Sequence, residues 1–208
     1  MFKTQSIDFC DINKIIETVT NIGQSALLDK LNPVRIQEAL VLVCCTGKTV
    51  AGETGMYIKN AEQLVERASK AGSETNLRGI VSEAESAHGL RTKGSYTDME
   101  FGEINSITLK SGKRTEPDLY ATDKMGVKRI IEIKSGNDLS PGQLPILLEM
   151  AMITGRRPTL IINEKFGKIP AQNFSDKLFC KGVDLIDFAG TILNPKVIDP
   201  RGCGPYLP

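Results

Sequence analysis

The chain has one histidine, His88, and no tryptophan. A single imidazole excludes His-rich zinc sites, two-histidine RNase mechanisms and H-E-x-x-H metalloproteases, because each of them needs a second. Any catalytic metal is therefore expected to be held by oxygen. Aromatic residues make up only 5% of the chain, which disfavours recognition of single strands by base stacking and leaves shape recognition of RNA open. Cysteine is sparse: five residues, irregularly spaced and odd in number, do not describe a disulfide framework and leave at least one unpaired. A reducing compartment is the corresponding expectation. Long apolar runs are missing too. The longest, Ala39 to Cys45, has seven residues, against the roughly 18 that a membrane span requires. Met1 to Cys10 lacks the basic and apolar regions of a secretory signal. The expected location is the cytoplasm, or a target-cell cytoplasm reached through machinery that the chain does not encode. The net charge of +1 lacks the basic excess that marks a non-specific polyanion binder.

What is present is ordinary for a soluble protein with one core: 208 residues, 40% hydrophobic and 25% charged. The charge is uneven only locally. Between positions 110 and 134, seven basic residues (Lys110, Lys113, Arg114, Lys124, Lys128, Arg129 and Lys134) face four acidic ones (Glu116, Asp118, Asp123 and Glu132). Such charges also serve simply to solvate strand edges and turns.

Apolar residues recurring at three and four positions from Asp11 to Leu31 predict an amphipathic helix that Asn32 and Pro33 end. A second helix is expected from Pro33 to about Cys44, capped by Asn32, and a third from Asn60 to Ala71. The small, polar stretch Lys70 to Thr75 suggests a boundary between a helical region, residues 1–75, and a second region, residues 76–208. There the pattern predicts a helix over Asn76 to His88, then strands over Met99 to Lys110, Arg114 to Thr122 and Lys128 to Lys134. Turns are expected at Ser111-Gly112 and Asp123 to Gly126. A helix over Ser140 to Thr154, with Ser140 as cap and Gly155 just past its end, leads to a buried strand over Pro158 to Asn163. One more strand and helix are expected within Phe179 to Leu193. The order α, β, β, β, α, β implies an α/β (α+β) fold with a mixed central sheet.

Glu116-Pro117-Asp118 and Glu132-Ile133-Lys134 carry the chemistry. A hairpin turning at Asp123 to Gly126 can bring Glu132 opposite the region of Asp118. Alternation puts Glu132 and Lys134 on one face of the strand and Ile131 and Ile133 on the other. Opposite charges in so apolar a strand need a reason, since buried charge is costly unless paired or bound to metal. Two carboxylates and a main-chain carbonyl suit Mg²⁺, which keeps several waters and shares its coordination with a substrate phosphate. An adjacent lysine can orient the attacking water and stabilise developing charge. The competing account makes Asp118 a turn cap and Glu132–Lys134 an ordinary ion pair.

With these motifs in this element order, residues 76 to 163 resemble the PD-(D/E)xK, or restriction-endonuclease-like, nuclease superfamily. The resemblance implies an αβββαβ core and a metal-dependent phosphodiesterase. It implies Mg²⁺, with Mn²⁺ as substitute, held by Asp118, Glu132 and the carbonyl of Ile133, with Lys134 as the motif lysine. Gly79-Ile-Val-Ser-Glu83 matches a helix motif that adds a further metal-binding glutamate, Glu83, with Glu85 as second choice. Gln143 stands where some members carry a glutamine on the following helix.

Other signals are weaker. Thr46-Gly-Lys-Thr49 looks like the end of a P-loop, but Leu42 stands where its first glycine should be. Cys44-Cys45 lacks metal-binding partners and is read as buried thiols. His88 is expected to cap a helix end, and Arg156 and Arg157 either contact phosphate or solvate a helix terminus. Three functions follow. The first is a deoxyribonuclease, with DNA preferred over RNA as partner. The second is an RNA- or tRNA-cleaving interbacterial toxin domain of the same fold, which implies an immunity protein. The third is a non-catalytic nuclease-like binding domain. Many nucleases of this fold act as homodimers, and residues 1–75 carry no signal of their role.

Overall fold

The computed structural model describes residues 12–24, 32–44, 58–93, 96–102, 106–135, 142–162, 172–187, 189–193 and 203. Four helices come first: α1 (Ile12–Gln24), α2 (Pro33–Cys44), α3 (Glu62–Ser69) and α4 (Glu74–Thr92). Asn32 starts α2 as its sequence suggests, its side-chain oxygen accepting the Val34 N–H at 2.9 Å. Ser73 starts α4 in the same way, accepting from Asn76 N–H at 3.2 Å. The α4 helix runs past His88, because Gly89 and Leu90 are themselves buried. His88 is therefore one turn inside the helix and not its cap, with Nδ1 2.9 Å from the Arg91 guanidinium.

The strands are β1 (Thr97–Phe101), β2 (Ile107–Thr108), β3 (Arg114–Thr115), β4 (Leu119–Thr122), β5 (Lys128–Lys134), β6 (Arg157–Ile162) and β7 (Asp184–Ile186). Helix α5 (Gln143–Thr154) joins β5 to β6, and α6 (Gln172–Cys180) precedes β7. The expected cap Ser140 lies outside the described residues. Gly155 ends α5 in the left-handed conformation, φ 63°, as a glycine after a helix does.

Five strands form one sheet in the order β1-β4-β5-β6-β7. The first three are antiparallel and the last three parallel, so the fold is α+β with a mixed central sheet. Two expected long strands are each divided. Met99 to Lys110 contributes to β1 and then to β2, and Arg114 to Thr122 to β3 and then β4, with β2 and β3 pairing as a separate hairpin. The second division falls at Pro117, which cannot donate to a ladder.

Alternation along the strands sorts the core into two layers. Leu119, Ala121, Ile131, Ile133 and Ile161 pack with α1 to α4 in one cluster. Tyr120, Ile130, Leu160 and Ile162 pack with α5, α6 and the β2–β3 hairpin in the other. Burying a Leu or Ile side chain is worth about 1.5–3 kcal/mol, and α1 to α3 place Ile15, Ile36, Leu40 and Leu64 in the same cluster as α4. The helices before Lys70 thus share one core with the sheet.

Cys180 and Cys203 form a disulfide across 23 positions, a pairing that cysteine spacing did not announce. The pairing depends on the chain's return after β7, a tertiary contact that spacing does not carry. Among the described residues, no helix is long and apolar enough to cross a membrane.

Candidate active site

The β4–β5 hairpin pairs Leu119 with Ile131, Tyr120 with Ile130 and Thr122 with Lys128. Continued one step, that register sets Asp118 against Glu132; two steps, Pro117 against Ile133. The ladder does not continue. At the end of β1, Gly102 lies against Pro117 so closely that a Cβ there would sit 2.0 Å from the Pro117 carbonyl oxygen. In place of a backbone acceptor on β4, the Asp118 carboxylate accepts the Ile133 N–H at 2.6 Å. A strand residue projects its N–H and C=O to the same side, so the Ile133 carbonyl also faces the gap where β4 has ended. Asp118 is thus fastened at a fork between two strands.

Its environment is hostile to a negative charge. Burial, then the Glu132 and Glu83 carboxylates, push the Asp118 carboxyl well above its ordinary value, and the Ile133 N–H and Lys134 only partly offset this. The three carboxylates come from different elements: Asp118 just before β4, Glu132 from β5 and Glu83 from α4. Glu132 is half-buried and pairs with the Lys134 ammonium two residues on. Glu83, only 5% exposed, receives both arms of the Arg67 guanidinium, at 2.5 and 2.8 Å. Glu85 is held instead by Arg35 of α2, at 2.9 and 3.0 Å. Of the two glutamates, Glu83 is the one whose charge bears on Asp118. Gln143 opens α5, the helix packed on the face toward which alternation directs Glu132.

The structure brings Asp118, Glu132, Ile133, Lys134 and Glu83 into one neighbourhood. Arg157, read as a helix-terminus charge or phosphate contact, is a β6 residue bound to Asp184 at 2.7 and 2.9 Å. Arg156 lies over the Tyr120 ring, 4.7 Å from its centre. Two contributors carry no sequence signal. Arg67 looks like any solvent-side helix residue until α3 is laid against α4, and Gly102 looks like a residue within a strand.

Among the described residues, no three His, Cys, Asp or Glu side chains form a ready-made metal cluster. A Mg²⁺ site does not need one, since that ion is held by one or two carboxylates, substrate phosphate and retained water. Asp118, Glu132 and the Ile133 carbonyl are hard oxygen donors at one strand fork, and neighbouring like charges, half-buried at Asp118 and Glu132, are what a divalent cation relieves. The donor set therefore fits the ion that the sequence motif implies.

The sequence matches no family model and no curated protein. Among solved structures, protein VC1899 from Vibrio cholerae is similar at 14% identity, with a TM-score of 0.39 over 85% of this chain and 47% of that one. The chain thus spans about half the length of that neighbour.

Proposed function

We propose that this protein is a divalent-metal-dependent endonuclease of the PD-(D/E)xK type, hydrolysing phosphodiester bonds in DNA in preference to RNA. One observation carries the reading. Asp118 is fixed by a strand N–H beside two further carboxylates and a lysine, yet takes part in no ion pair among the described residues. A carboxylate placed in this way lowers stability, and such strain is retained where a ligand relieves it.

In this reading Asp118, Glu132, the Ile133 carbonyl and Glu83 would hold Mg²⁺, with Mn²⁺ as substitute. When bound, the ion supplies Lewis acidity and lowers the pKa of coordinated water. Lys134, kept beside Glu132 by its own ion pair, orients the attacking water and stabilises negative charge gathering on the phosphate. Ile131 and Ile133 anchor β5 in the core from the opposite face, so the reacting groups stand on a rigid strand. Gln143 is assigned to positioning near the same edge. The cytoplasm, of the producing cell or of a target cell, is the proposed place of action.

The test is a substrate panel. Purified protein is incubated with plasmid, linear DNA and total RNA, with Mg²⁺ or Mn²⁺ and then with EDTA. Metal-dependent DNA cleavage is expected. Asp118→Ala and Lys134→Ala should abolish it while leaving the circular dichroism spectrum unchanged. Full activity in both variants would refute the site. Degradation of RNA alone would favour the toxin-like ribonuclease, and with it an immunity protein as partner. Inertness toward every polymer would leave a nuclease-like binding domain.

A further inference from the structure

We propose that Arg67 is the resident counter-ion of Glu83, occupying that carboxylate in the metal-free protein and displaced from it when a divalent cation binds. The inference rests on the metal-site reading above and adds a residue from outside the motif.

Glu83 sits on α4 with 5% of its surface exposed and adds its charge to that of Asp118. An unpaired carboxylate in that position would be strongly destabilising. Arg67 closes on both of its oxygens, at 2.5 and 2.8 Å. That fork engages the oxygens a metal would use. A cation arriving between Glu83 and Asp118 therefore competes with Arg67 for the same oxygens and is also repelled by its charge.

The way Arg67 is mounted suits displacement. Helix α3 buries Leu64, Val65 and Ala68 in the core, while the Arg67 side chain reaches Glu83 from the rim and keeps 36% of its surface exposed. It can swing outward without breaking the packing of α3. Arg129, elsewhere in the sheet, has a side chain only 6% exposed and is held by two aspartates; it has no such route. Once released, Arg67 lies at the edge of the proposed site, where a guanidinium fits a phosphate oxygen. A helix from the first 75 residues thereby becomes part of the working site.

The experiment titrates Mn²⁺ into full-length metal-free protein by calorimetry and follows thermal unfolding with Mn²⁺ or EDTA, in parallel for wild type, Arg67→Met, Arg67→Lys and Arg67→Met/Glu83→Gln. Arg67→Met should unfold at lower temperature in EDTA yet bind Mn²⁺ about tenfold more tightly, the like-charge repulsion at the pair's separation being discounted for the exposure of Arg67. Its stabilisation by Mn²⁺ should exceed that of the wild type. The double variant should lose the gain. A merely structural arginine predicts equal or weaker binding in Arg67→Met, and that result would overturn the inference. Should Arg67→Met not fold, Arg67→Lys decides. Lysine keeps the charge but loses the fork, so about threefold tighter binding is expected, and unchanged affinity counts against the proposal. Absence of Mn²⁺ binding in the wild type would remove the metal site itself; binding by the wild type with no change in the Arg67 variants removes only the role of Arg67.

Discussion

At the start of β5, Arg129 is buried between Asp123 and Asp184, with Thr159 as a further partner; at the end of the same strand, half-buried Asp118 lies beside Glu132 and Glu83. The first group balances its charges. Burial would raise both aspartates, but for Asp123 the Val127 and Met125 N–H groups and Arg129 outweigh it, and for Asp184 Arg157 and Arg129 do, so both carboxyls stay below their ordinary value. The second group gathers carboxylates around one that rises. One strand thus carries two arrangements of charge: complete internal pairing, which fixes the ends of β4, β6 and β7 together, and deficient pairing, on which the proposed cation site rests.

The comparison is broken most severely at the balanced end. Arg129→Met leaves the carboxylate of Asp123 buried without its guanidinium and takes one of the two from Asp184. Removing one partner of a buried pair costs about 3–5 kcal/mol, so urea unfolding should show a loss of that size. Acid should work through the same residues. Their folded-state pKa values are depressed, so their contribution is fully present above the ordinary carboxylate value and is lost as pH falls through the depressed ones. In Arg129→Met that acid-dependent loss should shrink, which a urea series at decreasing pH would measure.

At the deficient end the same kind of change should act in the opposite sense. Asp118→Asn keeps an oxygen for the Ile133 N–H and removes the charge that its neighbours oppose. Nuclease activity should fall by about 10³-fold, the scale for deleting a group that acts on developing charge, while stability at neutral pH rises by about 1 kcal/mol. The sign follows from linkage. A raised folded-state pKa means that between the ordinary and the raised value the native protein holds a proton that the unfolded chain has lost. Stability contributed by protonated Asp118 is therefore full below the ordinary value and declines as pH rises through the raised one. Asp118→Asn should remove that decline, and a variant no more stable than wild type at neutral pH would show that the two ends do not differ as described.

How much of this was legible in the sequence depended on how local each cause was. Ile131, Glu132, Ile133 and Lys134 betray their faces by alternation, and Gly155 marks the end of α5, because these signals act within a few residues. The division of Arg114–Thr122 was also available, in Pro117, which has no N–H to give a ladder, although the stretch between the two turns reads as one strand. The Arg129 network was not legible, since Asp184 is 55 positions away and only the parallel pairing of β5, β6 and β7 brings it near. The Cys180–Cys203 pair and the Arg67–Glu83 clamp fail for the same reason. Lys70 to Thr75 does read as a break between helices, yet polar composition cannot report that Leu64 and Leu77 on its two sides enter one core.

The finest test separates the placing of Asp118 from its charge. Gly102 has no Cβ to collide with the Pro117 carbonyl oxygen, which would lie 2.0 Å away; no side-chain rotation can relieve that contact, so Gly102→Ala must move backbone. Overpacking of this kind costs about 1–3 kcal/mol. Because Pro117 immediately precedes Asp118, the carboxylate should move with it, and a displacement near 1 Å at a reacting group costs about 10²-fold in rate. Gly112→Ala supplies the control. At Gly112, φ is +79° and nothing lies within 4 Å of the added Cβ, so alanine there should cost about 1 kcal/mol of stability through backbone strain with cleavage unchanged. Equal activity losses in the two glycine variants would mean that general destabilisation, and not the fork at Asp118, governs the rate; a loss confined to Gly102→Ala ties the rate to the place where β1 closes on Pro117.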